Sequence, residues 1–235
     1  MATGRSAGDA CPAEQTGKEG GGRREWVLAS ASPRRHEILA RLGLRFSVDP
    51  SGMTEPPRDP AESPAAYALR VARLKARETG ARHPGALVLA ADTIVVLDDD
   101  ILGKPEGRSG ARAMLGRLGG RWHEVLSGIS LLDTARGALH STCGRARVHF
   151  RALSREEVEW YLDTGEYRDK AGAYGVQGYA ALFIDRIEGC YFNIVGFPVA
   201  AFEALCREAG VDLRSHLATG QADPPTPSPA FRAAV

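Results

Sequence analysis

LVLAADTIVVLDDDIL, Leu87 to Leu102, is where the chain commits to a sheet. Leu87–Ala91 and Thr93–Leu97 are apolar or β-branched, as in buried strands; Asp98, Asp99 and Asp100 form a polar turn, and Ile101 and Leu102 resume the apolar pattern. A hairpin is expected. Asp92 is the charged residue inside this run. A carboxylate among so many apolar neighbours is costly to desolvate unless a metal, a cation or hydrogen bonds receive it. Asp92 is therefore a candidate metal ligand or general base for an attacking water, the alternative being an ordinary strand-end aspartate. The three aspartates of the turn are adjacent and do not converge, so they read as a solvated tip.

Towards the N-terminus, Trp26–Ala29 predicts a short strand passing into a helix opened by Ser32 and Pro33 and ended near Gly43, with a strand at Arg45–Val48 after it. Ser63 and Pro64 open a second helix, in which Tyr67, Val71 and Leu74 recur at helical spacing up to Gly80. Towards the C-terminus, a helix from about Arg108 to Leu118 precedes two strands, near Glu124–Leu132 and Gly144–Phe150, expected to pair antiparallel. Ser154 and Glu157 form a capping box for a helix to about Leu162. A Gly-rich turn, a strand over Ala180–Ile187 and a helix from Pro198 to near Gly210 complete the order. Helices interleaved with paired strands predict an α/β (α+β) mixed sheet.

The 235 residues suit one α/β body with tails. Residues 1–25, rich in Gly, Ala and charge, and the Pro-rich residues 218–235 are expected to be disordered, leaving a domain over 26–217. Thirty Lys and Arg against 29 Asp and Glu exclude a generally basic nucleic-acid surface. Cys11, Cys143, Cys190 and Cys206 make no CxxC pair, no stretch approaches a membrane span, and the leader has no apolar core segment. A cytoplasmic protein with no nucleic-acid or membrane partner is expected.

Ser30, Ser32, Arg34 and Arg35 stand where the first strand passes into its helix. Ser32 can cap that helix and Pro33 suits its first position. Two cations in the first turn oppose the helix dipole by roughly 0.3–1 kcal/mol each, and an anion reverses the penalty. With free backbone N–H groups they make a polyphosphate cradle; a solvated basic turn is the alternative. Lys104, in GKP beyond the hairpin, could meet a phosphate or be a plain surface lysine, since the spacing of a Walker loop is missing. In DKAGAYGVQG, Asp169–Gly178, the small residues permit close approach of backbone to a ligand, and the Gln177 amide can pair with the N3–H and O4 of uracil or thymine. A flipped amide would serve cytosine equally. His123 reads as a structural hydrogen bonder, and Trp122, Trp160, Tyr191 and Phe192 as core or interface residues.

Taken together, ASASPRRHEIL, AADTIVVLDDDILGKP, GRWHEVLSGISLL and DKAGAYGVQGYAALFI resemble, in order and separation, the Maf family of nucleotide pyrophosphatases, over about Trp26 to Ala209. The resemblance implies an elongated two-lobed fold, similar to the inosine triphosphate pyrophosphatases, with a central cleft. It implies hydrolysis between the α and β phosphates, with Asp92 at the position of the proton acceptor and Arg34, Thr93 and Gln177 at positions linked to substrate choice. Ser30, Arg35, Glu55, Lys75, Lys104 and Lys170 match other polar positions of the family cleft, and Glu55 sits in PSGMTEP, which follows the pattern loosely. Mg²⁺ or Mn²⁺, held partly by Glu55 and Asp92, is the implied cofactor.

A sister branch acting on 7-methyl-GTP has an aromatic residue, Gln and Glu where this chain has Arg34, Thr93 and Gln177. This chain carries the pyrimidine set, so the implied substrates are dTTP and UTP, cleaved to monophosphate and pyrophosphate, with a house-cleaning role on non-standard nucleotides and a link to cell division as extensions. A 7-methyl-GTP pyrophosphatase and a non-catalytic nucleotide-binding regulator of septum formation are the alternatives. A homodimer is the candidate assembly.

Overall fold

The structure is a computed structural model and describes residues 24–218. In chain order the elements are β1 (Trp26–Leu28), α1 (Pro33–Arg41), β2 (Ser47–Val48), α2 (Pro64–Gly80), β3 (Leu87–Leu97), β4 (Asp100–Leu102), α3 (Gly107–Leu118), β5 (Trp122–Asp133), β6 (Ala138–Phe150), α4 (Arg155–Asp163), β7 (Ile184–Gly189), α5 (Tyr191–Val195), α6 (Val199–Glu208) and α7 (Leu213–His216). Short 3₁₀ turns fill the stretch between α4 and β7.

The strands form a seven-stranded sheet in the order β2-β1-β3-β5-β6-β7, with β4 paired to β3 off that path. β1 runs parallel to β2 and β3, whereas the β3–β5, β5–β6 and β6–β7 pairs are antiparallel, which makes the sheet mixed, as expected. The hairpin between β3 and β4 turns on Asp98 and Asp99, at φ 52° and 70°; two left-handed residues are what a tight type I′ hairpin requires, and Asp tolerates them. The capping box predicted at Ser154 and Glu157 is present in both directions.

β3 shows how the sheet makes two lobes. On one face, Leu87, Leu89 and Ala91 join a core with Leu28, Leu39, Ile129 and Phe202. Further along that face, Val95 and Leu97 join another with Leu115, Val125, Phe150 and Tyr161. Thr93 lies between them, opposite Ser127 on β5. The other face of β3, with Val88 and Ala90, is covered by α2 through Ala68, Val71, Ala72 and Ala76. Leu74, expected on the buried stripe, is instead 37% exposed, because small residues let α2 approach the sheet closely and set its contact stripe. Gly128 on β5 sets that distance: a Cβ there would lie 2.3 Å from the carbonyl oxygen of Ala68.

One edge of β3 is interrupted. β1 pairs with Leu87–Leu89 and β4 with Val95–Leu97, while β5 runs along the opposite edge from Leu87 to Val96. Between the two short partners the edge from Ala90 to Ile94 has no strand beside it among the described residues, and Asp92 and Thr93 sit in this gap.

Three expectations are corrected. The strand predicted from Arg45 covers only Ser47–Val48. The strand predicted over Ala180–Ile187 begins at Ile184, because Tyr179–Phe183 curls into a 3₁₀ turn whose first N–H, on Tyr179, donates to the Glu166 carboxylate at 2.7 Å. Arg24 and Glu25 belong to the folded body: Arg24 pairs with Asp133, and Leu87 donates to the Glu25 carbonyl. The disorder expected of the leader and tail falls outside the described residues. Among the described residues no helix is long and apolar enough to cross a membrane.

Candidate active site

Asp92 is the anchor of the gap. Its neighbours on β3 are buried, and the strand alternation turns its side chain to the face covered by α2, opposite Gly128. Because Gly128 lets α2 lie close, Lys75, two turns beyond Ala68, reaches Asp92 with its ammonium at 2.8 Å. The same ammonium donates to Glu55 at 2.6 Å. The Asp92 side chain is 9% exposed, so this cation is the partner that its burial requires. Glu55, half exposed, hangs on the loop before α2, which Arg58 ties to the hairpin tip through the carbonyl and carboxylate of Asp99. Tyr67 on α2 also faces this cluster: burial, then Glu55 and Asp92, push its phenol above its ordinary range. By sequence Tyr67 is marked only by its helical spacing with Val71 and Leu74.

Thr93 points to the other face, towards Arg35. The Arg35 guanidinium donates to Ser30 Oγ at 2.8 Å, to Thr93 Oγ1 at 3.1 Å and to the Gly196 carbonyl at 3.0 Å. All three acceptors are neutral, and among the described residues Arg35 makes no ion pair. Burial pushes its pKa below the ordinary value while the charge of Asp92 pulls it back up, so a half-buried cation without a counter-charge of its own stands ready for an anion. Thr93 Oγ1 also bonds Ser127 Oγ at 2.9 Å and the Gly196 carbonyl at 3.2 Å. Thr93 thus holds Arg35. Ser127, Asn193 and Gly196, missed in the sequence, close the network from β5 and α5.

The cradle at α1 is assembled differently from its expectation. Ser32 occupies the cap position, but its side chain makes no cap bond; its own N–H donates to Ser30 Oγ at 3.3 Å. That leaves the first-turn N–H groups without a side-chain cap, the condition that favours an anion. Arg34 approaches Asp169 at 3.8 Å, which draws the Gly-rich loop towards α1. Lys170 donates to the Glu166 carbonyl and to the Asp169 carboxylate. The Gly172 N–H donates to the Gly103 carbonyl at 3.0 Å, joining this loop to the segment of Lys104, which is exposed. Gln177 is exposed on the same loop, and its amide makes no hydrogen bond among the described residues. Residues of the first three motifs therefore meet at the strand gap, and the loop of the fourth is linked to the first two by Arg34–Asp169 and Gly172–Gly103.

The bland features stay bland. Asp98, Asp99 and Asp100 diverge to Arg121, Arg58 and Arg117. His123 is buried and bonds the Tyr174 hydroxyl at 2.7 Å, with burial and then His149 bringing its pKa down to about 4. Trp160, Tyr191 and Phe192 are exposed, so they pack in no core among the described residues. Among the described residues no group of three or more His, Cys, Asp or Glu could hold a metal. Glu55 and Asp92 nevertheless converge on a single positive charge, the Lys75 ammonium, so two carboxylate oxygens are already directed at one point.

The chain is similar to known proteins. The sequence profile of a family described as Maf-like protein matches residues 25–209. A dTTP/UTP pyrophosphatase of Myxococcus xanthus is 47% identical over 80% of this chain and 93% of the relative. One from Symbiobacterium thermophilum is 49% identical over 74% of this chain and 88% of the relative. Among solved structures, a HAM1 protein from Coxiella burnetii covers 79% of this chain and 99% of that one at 16% identity and a TM-score of 0.42, a likeness too slight to carry an argument.

Proposed function

We propose, from the premise that this chain belongs to the Maf-like protein family, that it hydrolyses dTTP and UTP to the nucleoside monophosphate and pyrophosphate. The observation that carries the proposal is the half-buried Arg35 guanidinium, held among the described residues by neutral acceptors alone, beside a buried carboxylate in the gap of β3. A cation so held binds an anion without first breaking an ion pair, and the nearby carboxylate can take a proton.

In this mechanism Arg35 and the first turn of α1 hold the triphosphate, and Arg34, Lys104 and Lys170 close on it from the surrounding loops. Asp92 accepts the proton of the attacking water. Lys75 leaves one or both carboxylates to meet the phosphate charge, which it can do because its four-carbon stem pivots on a helix that stays docked. Glu55 and Asp92 would together hold Mg²⁺ or Mn²⁺, which when bound neutralises charge on the leaving pyrophosphate; one or two carboxylates completed by phosphate oxygens and water is the usual donor set for Mg²⁺.

The Gln177 amide is free to give one hydrogen bond and accept one, which suits the N3–H and O4 of a pyrimidine. Thr93 would influence substrate choice indirectly, through the Arg35 guanidinium that it holds. The proposal extends to a cytoplasmic enzyme acting on free nucleotides, and to a homodimer testable by sedimentation.

The test is pyrophosphate release by purified protein with Mg²⁺ or Mn²⁺ across dTTP, UTP, dCTP, GTP and 7-methyl-GTP. Preference for dTTP and UTP supports the proposal. Preference for 7-methyl-GTP moves the chain to the sister activity, and nucleotide binding without release leaves a regulator.

A further inference from the structure

We propose that Asn193 is a positioning residue for the triphosphate site, acting on Arg35 through the carbonyl of Gly196. The proposal rests on the triphosphate reading of Arg35 given above.

α5 is a helix of five residues, too short to hold itself. Tyr191 and Phe192 on it are 43% and 47% exposed, so its apolar anchorage comes from its other end, where Val195 is buried and Ile194 packs partly buried. Asn193 is fully buried and supplies another tether: its Nδ2 donates to the carbonyl of Val125 in mid-β5 at 2.8 Å. Room for this side chain comes from Gly144 on β6, where a Cβ would lie 2.7 Å from Asn193 Oδ1 and 2.5 Å from Pro198 Cβ. A buried amide reaching 68 residues back along the chain to a core strand fixes how the short helix sits.

What the helix then delivers is a pair of carbonyls. Asn193 O accepts from Ser127 Oγ at 3.4 Å. Gly196 O accepts from Arg35 Nε at 3.0 Å and from Thr93 Oγ1 at 3.2 Å. Gly196 can aim its carbonyl there because it ends α5 at φ +125°, which side chains rarely allow. Of the three acceptors of Arg35, Ser30 and Thr93 come from the β1–α1 turn and β3, and Gly196 comes from the end of α5. Val195 and Phe197 on either side of Gly196 are buried, so loss of the Asn193 tether loosens the Nε contact, with the other two bonds left in place.

Arg35 would bind phosphate in ground state and transition state alike, so loosening it raises KM more than it lowers kcat. Asn193→Ala should raise KM for dTTP by roughly 5–30-fold with kcat within about 3-fold. Gly196→Ala should do the same by another route: its Cβ would meet no atom within 4 Å, so only the backbone direction of the carbonyl is disturbed. Leu115→Ala, in the core away from the network, serves as a control for stability, expected to lower Tm with KM unchanged.

The decisive measurement is a double-mutant cycle on KM with Arg35→Lys, which cannot make the three-pronged contact. If Asn193 acts through Arg35, the effects of Asn193→Ala and Arg35→Lys overlap, and the double variant is little worse than the worse single one. Fully additive effects, or an Asn193→Ala protein that loses stability with KM unchanged, overturn the proposal. Should Asn193→Ala not fold, the same cycle with Gly196→Ala decides it by the same outcomes. Wild-type protein that releases no pyrophosphate from any triphosphate overturns the proposal together with the function beneath it; wild-type release with unmoved KM in the variants overturns the proposal alone.

Discussion

Gly128→Ala tests whether the Asp92–Lys75 pair depends on how closely α2 lies on the sheet. The added Cβ would stand 2.3 Å from Ala68 O, 2.5 Å from Ala68 C and 2.7 Å from Leu69 N, all backbone atoms that no rotamer change can move. Relief to ordinary contact requires α2 to lift by roughly 1 Å, since carbon contacts settle near ~3.5 Å. Overpacking of this kind costs about 1–3 kcal/mol, hence a fall in Tm of roughly 2–12 °C for a domain of this size. Lys75 travels with α2, so its 2.8 Å bond to Asp92 lengthens while Asp92, on β3, stays in place. A misplacement of about 1 Å at a reacting group costs up to ~10²-fold in rate. Calorimetry gives the Tm and pyrophosphate release gives kcat/KM on the same sample. A Gly128→Ala protein with wild-type Tm and wild-type kcat/KM would refute the idea that this glycine sets the helix–sheet distance.

Other outcomes follow from the same contacts. Gln177→Glu removes the amide donor at nearly constant volume and places a negative charge near O4, so efficiency on dTTP and UTP should drop by roughly 5–150-fold while 7-methyl-GTP loses less, read as a ratio of kcat/KM values; equal falls would make Gln177 a loop residue. His123 titrates near 4 in the folded state against an ordinary 6.5. Between those values the unfolded chain holds a proton that the folded one lacks, so stability should rise with pH across this window and be lost on acidification through it, by roughly 3 kcal/mol in all. Urea unfolding at pH 4.5 and 7 checks this, and His123→Gln should flatten that part of the profile. Lys75→Met strips Asp92 of its cation and should destabilise the protein by roughly 3 kcal/mol, with Mg²⁺ raising Tm more than in wild type; a Tm indifferent to Mg²⁺ would count against Glu55 and Asp92 as its donors.

Local signals made much of this legible before the structure. The apolar run through Asp92, the aspartates after it, the capping box at Ser154 and Pro64 after Ser63 are each decided within a few residues, and the elements formed where they indicate. Asp92 itself declared its need for a partner. The identity of that partner was not derivable from composition or spacing, because Lys75 reaches it only through the helix–sheet distance set by Gly128. Arg35 and Thr93 lie 58 residues apart, and Gly196 accepts from both across far longer separations. Hydroxyls and backbone carbonyls carry no sequence signature when the elements presenting them are brought together by packing. The 3₁₀ turn at Tyr179–Phe183 escaped for a related reason: a carboxylate from outside the segment, Glu166, overrode a strand-like composition. One signal was available and unused: adjacent residues of a strand face opposite ways, so Asp92 and Thr93 had to serve different sides of the sheet.

The central claim is that a buried Asp92 takes the proton of the water that cleaves a nucleoside triphosphate held by Arg35. Pyrophosphate release from dTTP at saturating Mg²⁺, by wild type and by Asp92→Asn shown to be folded through its calorimetric transition, tests it most directly. The substitution keeps the shape and removes both the proton acceptor and the charge, so turnover should fall by roughly 10²–10⁴. A folded Asp92→Asn protein that turns over dTTP at nearly the wild-type rate would contradict it.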